Sequence, residues 1–588
     1  MNPPGLLLRQ PVRPAGDDRA DAAERRLAAA CLLAAIATGI WLRFWRLDWD
    51  GGFLLHPDEY NLIAAAARWR FAWGTDPGFH AYGGLALSLP IFVSYALSLL
   101  SGGDPFALQQ LSHAARIVSA AQSSLALACL PLLASRAWPG RAGRWPAVVV
   151  AWLAALDVGL VQAAHFGTTE SGLVLVVVLL ALLAVLLHRD RIGPWSFAAA
   201  SGALIGLGFG LKATAAAFMI IPAVAGLLAL GRLGLLRLGA VALLGAVAGL
   251  AALGIVSPHT FRFGAAFLST MRFEADVAAG RADVFWTLQF RSKPPAVFAI
   301  AQLPWLHGPL VPGVGLAGLL ALVVRACQRH ETALALLPLA VFTLVFDAFV
   351  LTLGAPFVRY WLPGAAGLLI GVAWIVTDLA RSRTRASGRI AGAMAGLVLM
   401  LSVAWCYAFT AIYRAEDVRL QASRWLAAHL ADGDRVLIEP HDVGLPLRVA
   451  PLPAAKIEVL PLLEPETAAG LDEYGRLLSG ADRLIVASRR HSSVLPRLPG
   501  RFGIACAYYS ALQSGELGLV EEVRFDNGPR LGDWRVPRGI SEETFEVFDH
   551  PAVIVFRRAR PVTRQAVVDV LARHRTGCRY RAGVLGRR

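Results

Sequence analysis

Long apolar runs alternate with short arginine-rich clusters over most of the chain, up to about Tyr413. Each run is close to the ~20 residues that a helix needs to cross a bilayer. Of the 588 residues, 56% are hydrophobic and only 16% are charged, a composition too apolar for a soluble protein of this length. The pattern therefore predicts a polytopic α-helical membrane protein.

The basic clusters set the expected orientation. They lie at 136–144, 188–191, 232–237, 325–330 and 381–389. Lysine and arginine are enriched in cytoplasmic loops, so we expect all of these clusters to face the cytoplasm. A net charge of +15 would suggest nucleic-acid binding in a soluble chain, but here many of the arginines lie in short clusters between apolar runs, as is typical of a membrane protein. The sequence has no glycine-rich phosphate loop, zinc-finger spacing or Cys-x-x-Cys pair, which disfavours nucleic-acid and redox functions.

About eleven spanning helices satisfy this orientation. We expect them at 27–44, 113–135, 145–163, 172–187, 196–212, 214–231, 238–256, 301–324, 332–352, 360–380 and 390–413. The parity holds only if the apolar stretch 85–100 does not cross. Residues 46–112 are therefore expected to form one outer loop whose helices lie in or dip into the membrane interface.

Two further regions flank the expected transmembrane domain at 27–413. Residues 1–26 are polar and lack the layout of a cleavable signal peptide, so we expect a cytoplasmic N-terminal arm. After Tyr413 the apolar runs shrink to strand length and alternate with helical stretches such as 417–430, which predicts a small α/β domain at 414–588. Its expected strands are 435–438, 457–460, 483–487 and 553–556. The odd number of spans places this domain outside the cytoplasm.

The domain at 414–588 contains two cysteines, Cys506 and Cys578. In an oxidising compartment they could form a disulfide. Two unpaired thiols fit the sequence nearly as well.

Adjacent carboxylates follow the first apolar run, at Asp58 and Glu59, with His56 and Pro57 just before them. An ordinary helix start explains this pattern, because proline and acids are favoured in a first turn. Charges beside a bilayer are costly, however, and partial burial would raise a carboxylate pKa towards the range useful for a general base. The sequence chemistry supports the structural and the functional interpretation about equally.

A second short loop, with His165 and Glu170, is expected at the same membrane level as Asp58. Glu170 has the alternative interpretation of a first-turn acid. Lys212 and Arg359 fall at outward helix ends, where positive charge is disfavoured. Each alone is explained by snorkelling to lipid headgroups, but together they could bind an anion such as phosphate, with Arg116 as a third member.

With these residues in place, the sequence resembles the integral-membrane glycosyltransferases of the GT-C fold, in particular bacterial relatives of protein O-mannosyltransferases and of the aminoarabinose transferase that modifies lipid A. The resemblance covers nearly the whole chain. His56-Pro57-Asp58-Glu59 is similar to the first-loop Asp-Glu motif of that family, and His165-Phe166-Gly167-Thr168-Thr169-Glu170 to the second-loop motif, in which Asp is usual. Gly210-Leu211-Lys212-Ala213-Thr214 keeps only the lysine of a Thr-Lys-Gly segment. The stretches 357–363, with Arg359 and Tyr360, and 543–553 resemble a late Arg-Tyr element and the tail domain.

The resemblance implies a transmembrane GT-C domain that transfers a sugar from a polyprenyl-phosphate donor to a hydroxyl acceptor on a protein, lipid or glycan. It implies Asp58 as general base of an inverting reaction, with Glu59 and Glu170 orienting the groups. Lys212, Arg359, Tyr360 and Arg116 would bind the lipid phosphate, and His56 and His165 are further candidates. The site would face outward from the plasma membrane, with no required cofactor and no nucleic-acid partner.

Two alternatives remain open from the sequence. The same acids and bases could be ligands in a flippase that moves a lipid-linked sugar, although transporters often show paired halves. In a metal-dependent oligosaccharide transferase of the same fold, Asp58 and Glu170 would share a divalent cation.

Overall fold

The computed structural model describes residues 15–72, 74–291, 295–382, 384–440, 444–464 and 466–578. Residues 1–14 of the expected N-terminal arm lie outside the described residues. The rest of that arm is helical and continuous with the first span. Asp21 on this helix pairs with Arg144 at 2.6 Å, so the start of the first helix lies beside the basic cluster 136–144.

Helices account for most of the described residues up to Tyr413. Their bounds are α1 Ala15–Phe44, α2 Pro57–Trp69, α3 Gly84–Ser101, α4 Leu108–Ala137, α5 Arg144–Leu156, α6 Val158–His165, α7 Glu170–His188, α8 Pro194–Leu211, α9 Ile220–Leu233, α10 Leu235–Val256, α11 His259–Arg262, α12 Gly264–Ala278, α13 Pro295–His307, α14 Val311–Cys327, α15 Glu331–Leu351, α16 Ala365–Ala380 and α17 Arg385–Thr410. Short 3₁₀ turns at Ala213–Met219 and Val358–Gly364 precede α9 and α16.

The chain is a multi-pass membrane protein. Within the described residues, ten helices are long and apolar enough to cross a membrane, and the number rises to twelve if each of two bent helix pairs is one span. These stretches include all of the spans expected from the sequence. The expectation of an unbroken helix is wrong at 145–163 and at 301–324.

Both breaks have a local cause. Asp157 leaves the helical conformation and accepts the backbone N–H of Leu160 at 3.0 Å, so it ends α5 and caps α6, with a bend of 50°. Gly308 has φ +90° and separates α13 from α14, which cross at 104°. The second bend keeps α13 against α6 and the 3₁₀ turn Val358–Gly364, at the end of the bundle that carries the C-terminal domain.

We call that end of the helical bundle the domain side, and the opposite end the basic side. Helix α3 has both of its ends on the domain side. The N–H of Gly83, just before α3, donates to Leu211 at the end of α8, and the Gln110 amide at the start of α4 donates to Ser94 O at 3.0 Å. A side chain at Gly83 would collide with the backbone of Gly210, so glycine permits this close approach. By length and composition α3 is one of the ten candidate spans, so the expectation that it does not cross the membrane stays a prediction. Without α3 the upper number of spans, twelve, becomes the eleven that the parity requires.

The C-terminal region folds as an α/β domain. Its elements are α18 Val418–His429, β1 Arg435–Ile438, β2 Lys456–Val459, α19 Ala468–Gly480, β3 Arg483–Val486, α20 Arg489–Ser492, α21 Gly503–Ser514, β4 Leu519–Asp526, β5 Arg530–Leu531, β6 Trp534–Arg535, α22 Glu543–Val547, β7 Ala552–Arg558 and α23 Arg564–Arg575. The main sheet has the order β2-β1-β3-β7-β4, with β2, β1 and β3 parallel and β7 antiparallel to both of its neighbours. The strands expected from the sequence are confirmed, whereas β4 was not anticipated.

Alternate side chains of the sheet enter two separate cores. Leu437, Leu484 and Ile554 pack with α19, α21 and α23, whereas Val436 and Ile485 pack under α18. Burial on both faces explains why these strands are short continuous apolar runs in the sequence. Cys506 and Cys578 are bonded to each other, so the disulfide interpretation is confirmed.

Candidate active site

The start of α2 places Asp58 at the domain side. His56 is the N-cap and its Nδ1 accepts the backbone N–H of Glu59 at 3.3 Å, while Pro57 takes the first helical position. Asp58 and Glu59 follow in the first turn. Because successive side chains of a helix point about 100° apart, the two carboxylates face different neighbours.

The Asp58 carboxylate pairs with Arg359 at 3.1 Å, and about a quarter of each side chain is exposed. Arg359 lies in the 3₁₀ turn Val358–Gly364, where the chain has not yet entered α16. Burial acts to raise the pKa of Asp58, but the positive charges of Arg359 and Lys212 outweigh burial, so this pKa lies below its usual range. The expectation that burial raises the pKa of this carboxylate is therefore wrong, and Asp58 is ionised at neutral pH.

Glu170 is the first residue of α7 and is buried, with its carboxylate 3.5 Å from Lys212 Nζ. Lys212 lies at the break between α8 and the following 3₁₀ turn. Its ammonium lies 5.6 Å from the centre of the Tyr360 ring, and the Arg359 guanidinium lies 5.8 Å from the same ring. The two cations expected to bind an anion thus flank one aromatic side chain.

A narrow cavity of about 30 Å³ joins these elements. It is lined by His56, Asp58 and Glu170, by Arg359, and by Thr544 and Phe548 of the C-terminal domain, together with apolar residues of the bundle. Two carboxylates from separate loops and one arginine therefore face the same space, as the sequence predicted. At this size the cavity holds about one or two water molecules, so a larger ligand must displace part of its lining.

The C-terminal domain supplies one wall of the cavity through the 541–550 segment. This segment enters the helical bundle, where Gln162 of α6 donates to the Phe545 carbonyl and to the Asp549 carboxylate, each at 3.0 Å. Tyr413 also donates to Asp549, at 2.9 Å. These buried polar contacts fix Thr544 and Phe548 relative to Asp58.

Glu59 has a different environment from Asp58. It is buried with Arg116, which donates to Glu59 at 2.8–3.1 Å, to Asp50 at 2.7 and 2.8 Å and to the Leu47 carbonyl. Glu59 also accepts the N–H of Gly167 at 2.7 Å. The network ties the first loop, α4 and the second loop together, and it uses all five N–H groups of Arg116.

This placement argues against the expected phosphate-binding role of Arg116, because a phosphate would have to replace buried carboxylates. It also moves Glu59 away from the reacting groups. Asp50, which sequence reasoning did not select, is the third member of the network. Its position next to Gly51 and Gly52, in a turn before the first-loop motif, gave no sign of a buried partner.

His165 does not line the cavity. Its ring nitrogens lie 2.8 Å from the Val161 carbonyl and 2.9 Å from the Trp45 carbonyl, and the ring stacks on Tyr413 at 4.0 Å. The residue is fully buried. The structure therefore gives His165 a packing role between α1 and the end of α6.

Two further polar residues lie by the cationic pair. The centre of the Tyr82 ring lies 5.4 Å from the Lys212 ammonium. Glu274 on α12 has a pKa that burial raises, although the charges of Lys212 and Arg359 act to lower it. Neither residue was selected from the sequence, because Tyr82 belongs to no motif and Glu274 lies in a connection with other acids, Asp276 and Asp283. Among the described residues, no three His, Cys, Asp or Glu side chains are grouped to hold a metal ion, so we derive no metal-dependent step.

No protein-family model matches the chain, and no curated protein matches it. Among solved structures, the chain is similar to the archaeal oligosaccharyltransferase AglB from Archaeoglobus fulgidus in complex with an inhibitory peptide and a dolichol-phosphate, with 13% identity, a TM-score of 0.48, and coverage of 82% of this chain and 72% of that chain. For the apo form of the Archaeoglobus fulgidus oligosaccharyltransferase, identity is 15%, the TM-score 0.49 and coverage 87% and 75%. For ArnT from Cupriavidus metallidurans in the apo state, identity is 14%, the TM-score 0.46 and coverage 78% and 93%.

Proposed function

We propose that the chain is a membrane glycosyltransferase of the GT-C type, which moves a sugar from a polyprenyl-phosphate donor to a hydroxyl acceptor. The observation that carries the proposal is the cavity at the domain side, which is lined by the paired Asp58 and Arg359 and by Glu170. Lys212 lies beside the cavity, paired with Glu170. The Asp58 carboxylate can take the proton of the acceptor hydroxyl, and the cation beside it can bind the donor phosphate.

Lys212 and Arg359 bind the donor phosphate. Both lie where a membrane helix is interrupted, at 5.6 and 5.8 Å from the centre of the Tyr360 ring, so a lipid-linked phosphate approaching from the bilayer meets both charges. A phosphate leaving group is already anionic and needs electrostatic support more than a proton. The two cations stabilise the charge that grows on it as the glycosidic bond breaks.

Asp58 is the general base. Its low pKa keeps it ionised but makes it a weak base while Arg359 remains paired with it. Binding of the phosphate by Arg359 loosens that pair and increases the basicity of Asp58 at the moment it is needed. The acceptor hydroxyl gives its proton to Asp58, its oxygen bonds to the anomeric carbon, and the bond from that carbon to the phosphate oxygen breaks. A single displacement inverts the anomeric centre.

Glu170 and Glu59 support this reaction differently. Glu170 lines the cavity and holds Lys212, so we assign it to orienting the lysine and the acceptor. Glu59 acts through structure, because its contacts with Arg116 and Gly167 fix the first turn of α2, from which Asp58 projects. We place the site on the extracytoplasmic face of the plasma membrane, since the basic clusters lie at the opposite end of the bundle.

The direct test is turnover. Purified protein in lipid nanodiscs is incubated with a panel of undecaprenyl-phosphate sugars and hydroxyl acceptors, and products are identified by mass spectrometry. We expect release of undecaprenyl phosphate together with a glycosylated acceptor, and release at least about a hundredfold slower by Asp58→Asn. Movement of intact donor across the bilayer without bond cleavage would instead identify a flippase and overturn the proposal.

A further inference from the structure

His56 is held between two aromatic rings beside the proposed base. Its ring centre lies 4.4 Å from that of Phe166 in the second loop and 4.3 Å from that of Phe548 in the C-terminal domain. The side chain is 3% exposed, yet it lines the cavity that contains Asp58. Its orientation is therefore fixed by packing on both faces.

The capping contact determines which ring nitrogen carries the proton. Nδ1 accepts the backbone N–H of Glu59 and so must be unprotonated. Burial lowers the pKa of His56, in spite of the opposing charges of Asp58 and Glu59, so the ring is neutral at physiological pH. A neutral imidazole without a proton at Nδ1 carries it at Nε2.

No hydrogen-bond acceptor for His56 Nε2 occurs among the described residues. Since Nδ1 is turned to the start of α2, Nε2 is the nitrogen available to the cavity. We propose that the Nε2–H of His56 donates a hydrogen bond to a hydroxyl or ether oxygen of the substrate and positions it against Asp58. This inference rests on the proposed function for the identity of the substrate but not for the state of the ring.

Two substitutions separate capping from donation. His56→Asn keeps an acceptor at the position of Nδ1, and asparagine is a favoured N-cap, but it removes the donor that faces the cavity. His56→Gln extends an amide N–H to the position of Nε2 and loses the short capping acceptor. We expect His56→Asn to retain the wild-type Tm and to lose about tenfold in kcat/KM, the effect of one hydrogen bond. His56→Gln should have a lower Tm and a higher kcat/KM than His56→Asn.

The reverse pattern, with full activity in His56→Asn and loss in His56→Gln, would overturn the donor role. A second readout does not depend on turnover. In ¹⁵N-histidine-labelled protein, with the His56 signals assigned by their absence from His56→Asn, we expect the Nε2–H tautomer of a neutral ring at pH 7. A protonated Nδ1 would refute the inference even if the enzyme proves active. Inactivity of wild-type protein towards all donors, with the Nε2–H tautomer present, would contradict the proposed function alone.

A separate feature of the C-terminal domain concerns the membrane. The hairpin formed by β5 and β6 contacts α17, and Asn527 just before it donates to the Ile412 carbonyl at the domain-side end of that helix. Leu531 and Trp534 of the hairpin are exposed, and Trp534 has 58% of its surface free. On α17, exposed Tyr407 carries Arg414 over its ring at 4.0 Å, an arrangement typical of the membrane–water boundary.

We infer that this hairpin docks on the phospholipid bilayer beside α17. Tryptophan favours the interfacial region, and the exposed Arg530 and Arg535 of the same hairpin can bind the phosphate groups of lipid headgroups. The contact with a spanning helix brings the exposed apolar residues to the bilayer and not to bulk water. The hairpin thus gives the domain a second attachment to the membrane, in addition to the end of α17.

Depth-dependent quenching tests this inference. Bimane is attached in the full chain at one of two introduced cysteines, Asp533→Cys at the tip of the hairpin or Gln513→Cys at an exposed position on α21. Each labelled protein is reconstituted with brominated phospholipids. Labelling of the unsubstituted chain gives the background from the native thiols. We expect strong quenching at position 533, weak quenching at 513, and loss of quenching at 533 when Trp534→Glu and Leu531→Glu are added. Equal quenching at the two labelled positions would overturn the inference.

Discussion

Replacement of Asp58 by asparagine removes the proposed base while keeping the size and polarity of the side chain. General acid–base catalysis contributes roughly 10²- to 10⁴-fold, so kcat should fall by about that factor. The Asp58–Arg359 pair is partly exposed on both sides, and such pairs stabilise a fold by about 1 kcal/mol or less. Loss of activity should therefore occur with little change in Tm.

The assay measures initial rates with the most active undecaprenyl-phosphate sugar in nanodiscs, beside thermal unfolding of the same samples. Asp48→Asn is the matched control, because Asp48 lies in the same loop and is exposed. For the wild type, activity requires the ionised carboxylate, and the folded pKa of Asp58 lies below its usual range. The acid limb of kcat/KM should consequently fall below about pH 4, the ordinary aspartate value. If Asp58→Asn keeps more than about a tenth of the wild-type kcat, the assignment is refuted, because loss of a general base should lower kcat by at least about a hundredfold.

Four further outcomes are expected. Arg359→Ala should raise the donor KM more than Arg359→Lys does, and an unchanged donor KM in steady-state kinetics would contradict phosphate binding by this residue. Arg116→Met leaves two buried carboxylates without their cation and should destabilise the protein by about 3–5 kcal/mol, which thermal unfolding in detergent would detect as a lower Tm. Burial raises the pKa of Glu439 to about 8. Between about pH 4 and pH 8 only the unfolded state releases this proton, so the wild type should lose stability as the pH rises through this range. Glu439→Gln should flatten the dependence of Tm on pH, and an equal slope in the two proteins would be inconsistent with a protonated Glu439. The disulfide between Cys506 and Cys578 joins residues with a sequence separation of 72. Its reduction should lower the free energy of unfolding of the C-terminal domain by about 4 kcal/mol, because the unfolded chain gains entropy. The unfolding temperature of the domain should therefore fall, whereas that of the helical bundle should not change.

The membrane spans and the strands could be predicted because each follows from a local pattern. Apolar runs of about 20 residues between basic clusters are typical of membrane spans, and strands buried on both faces are short continuous apolar runs. The bends at Asp157 and Gly308 were missed, although both residues are visible in the sequence. An Asp that can cap a helix and a Gly followed by proline within an apolar run are breaker signals that hydropathy alone conceals.

The candidate site was predictable only in part. Asp58 could be found because it follows the first span directly, and Arg359 because positive charge at that membrane level is unusual. Adjacency in sequence could not separate Asp58 from Glu59, since the helix turns their side chains towards different partners. Thr544 and Phe548 could not be placed in the cavity from local patterns, because their position depends on how the C-terminal domain docks on the bundle.

The insertion of the 541–550 segment links the maturation of the two parts of the protein. Gln162 and Phe545, which bond to each other, are separated by 383 residues. During synthesis the transmembrane helices are made first and enter the bilayer well before Phe548 leaves the ribosome. The pocket therefore remains incomplete until the 541–550 segment has been translated and has docked on the helical bundle. A nascent or truncated chain without this segment lacks the wall of the cavity that Thr544 and Phe548 form, so under the proposed function it should be unable to turn over its donor.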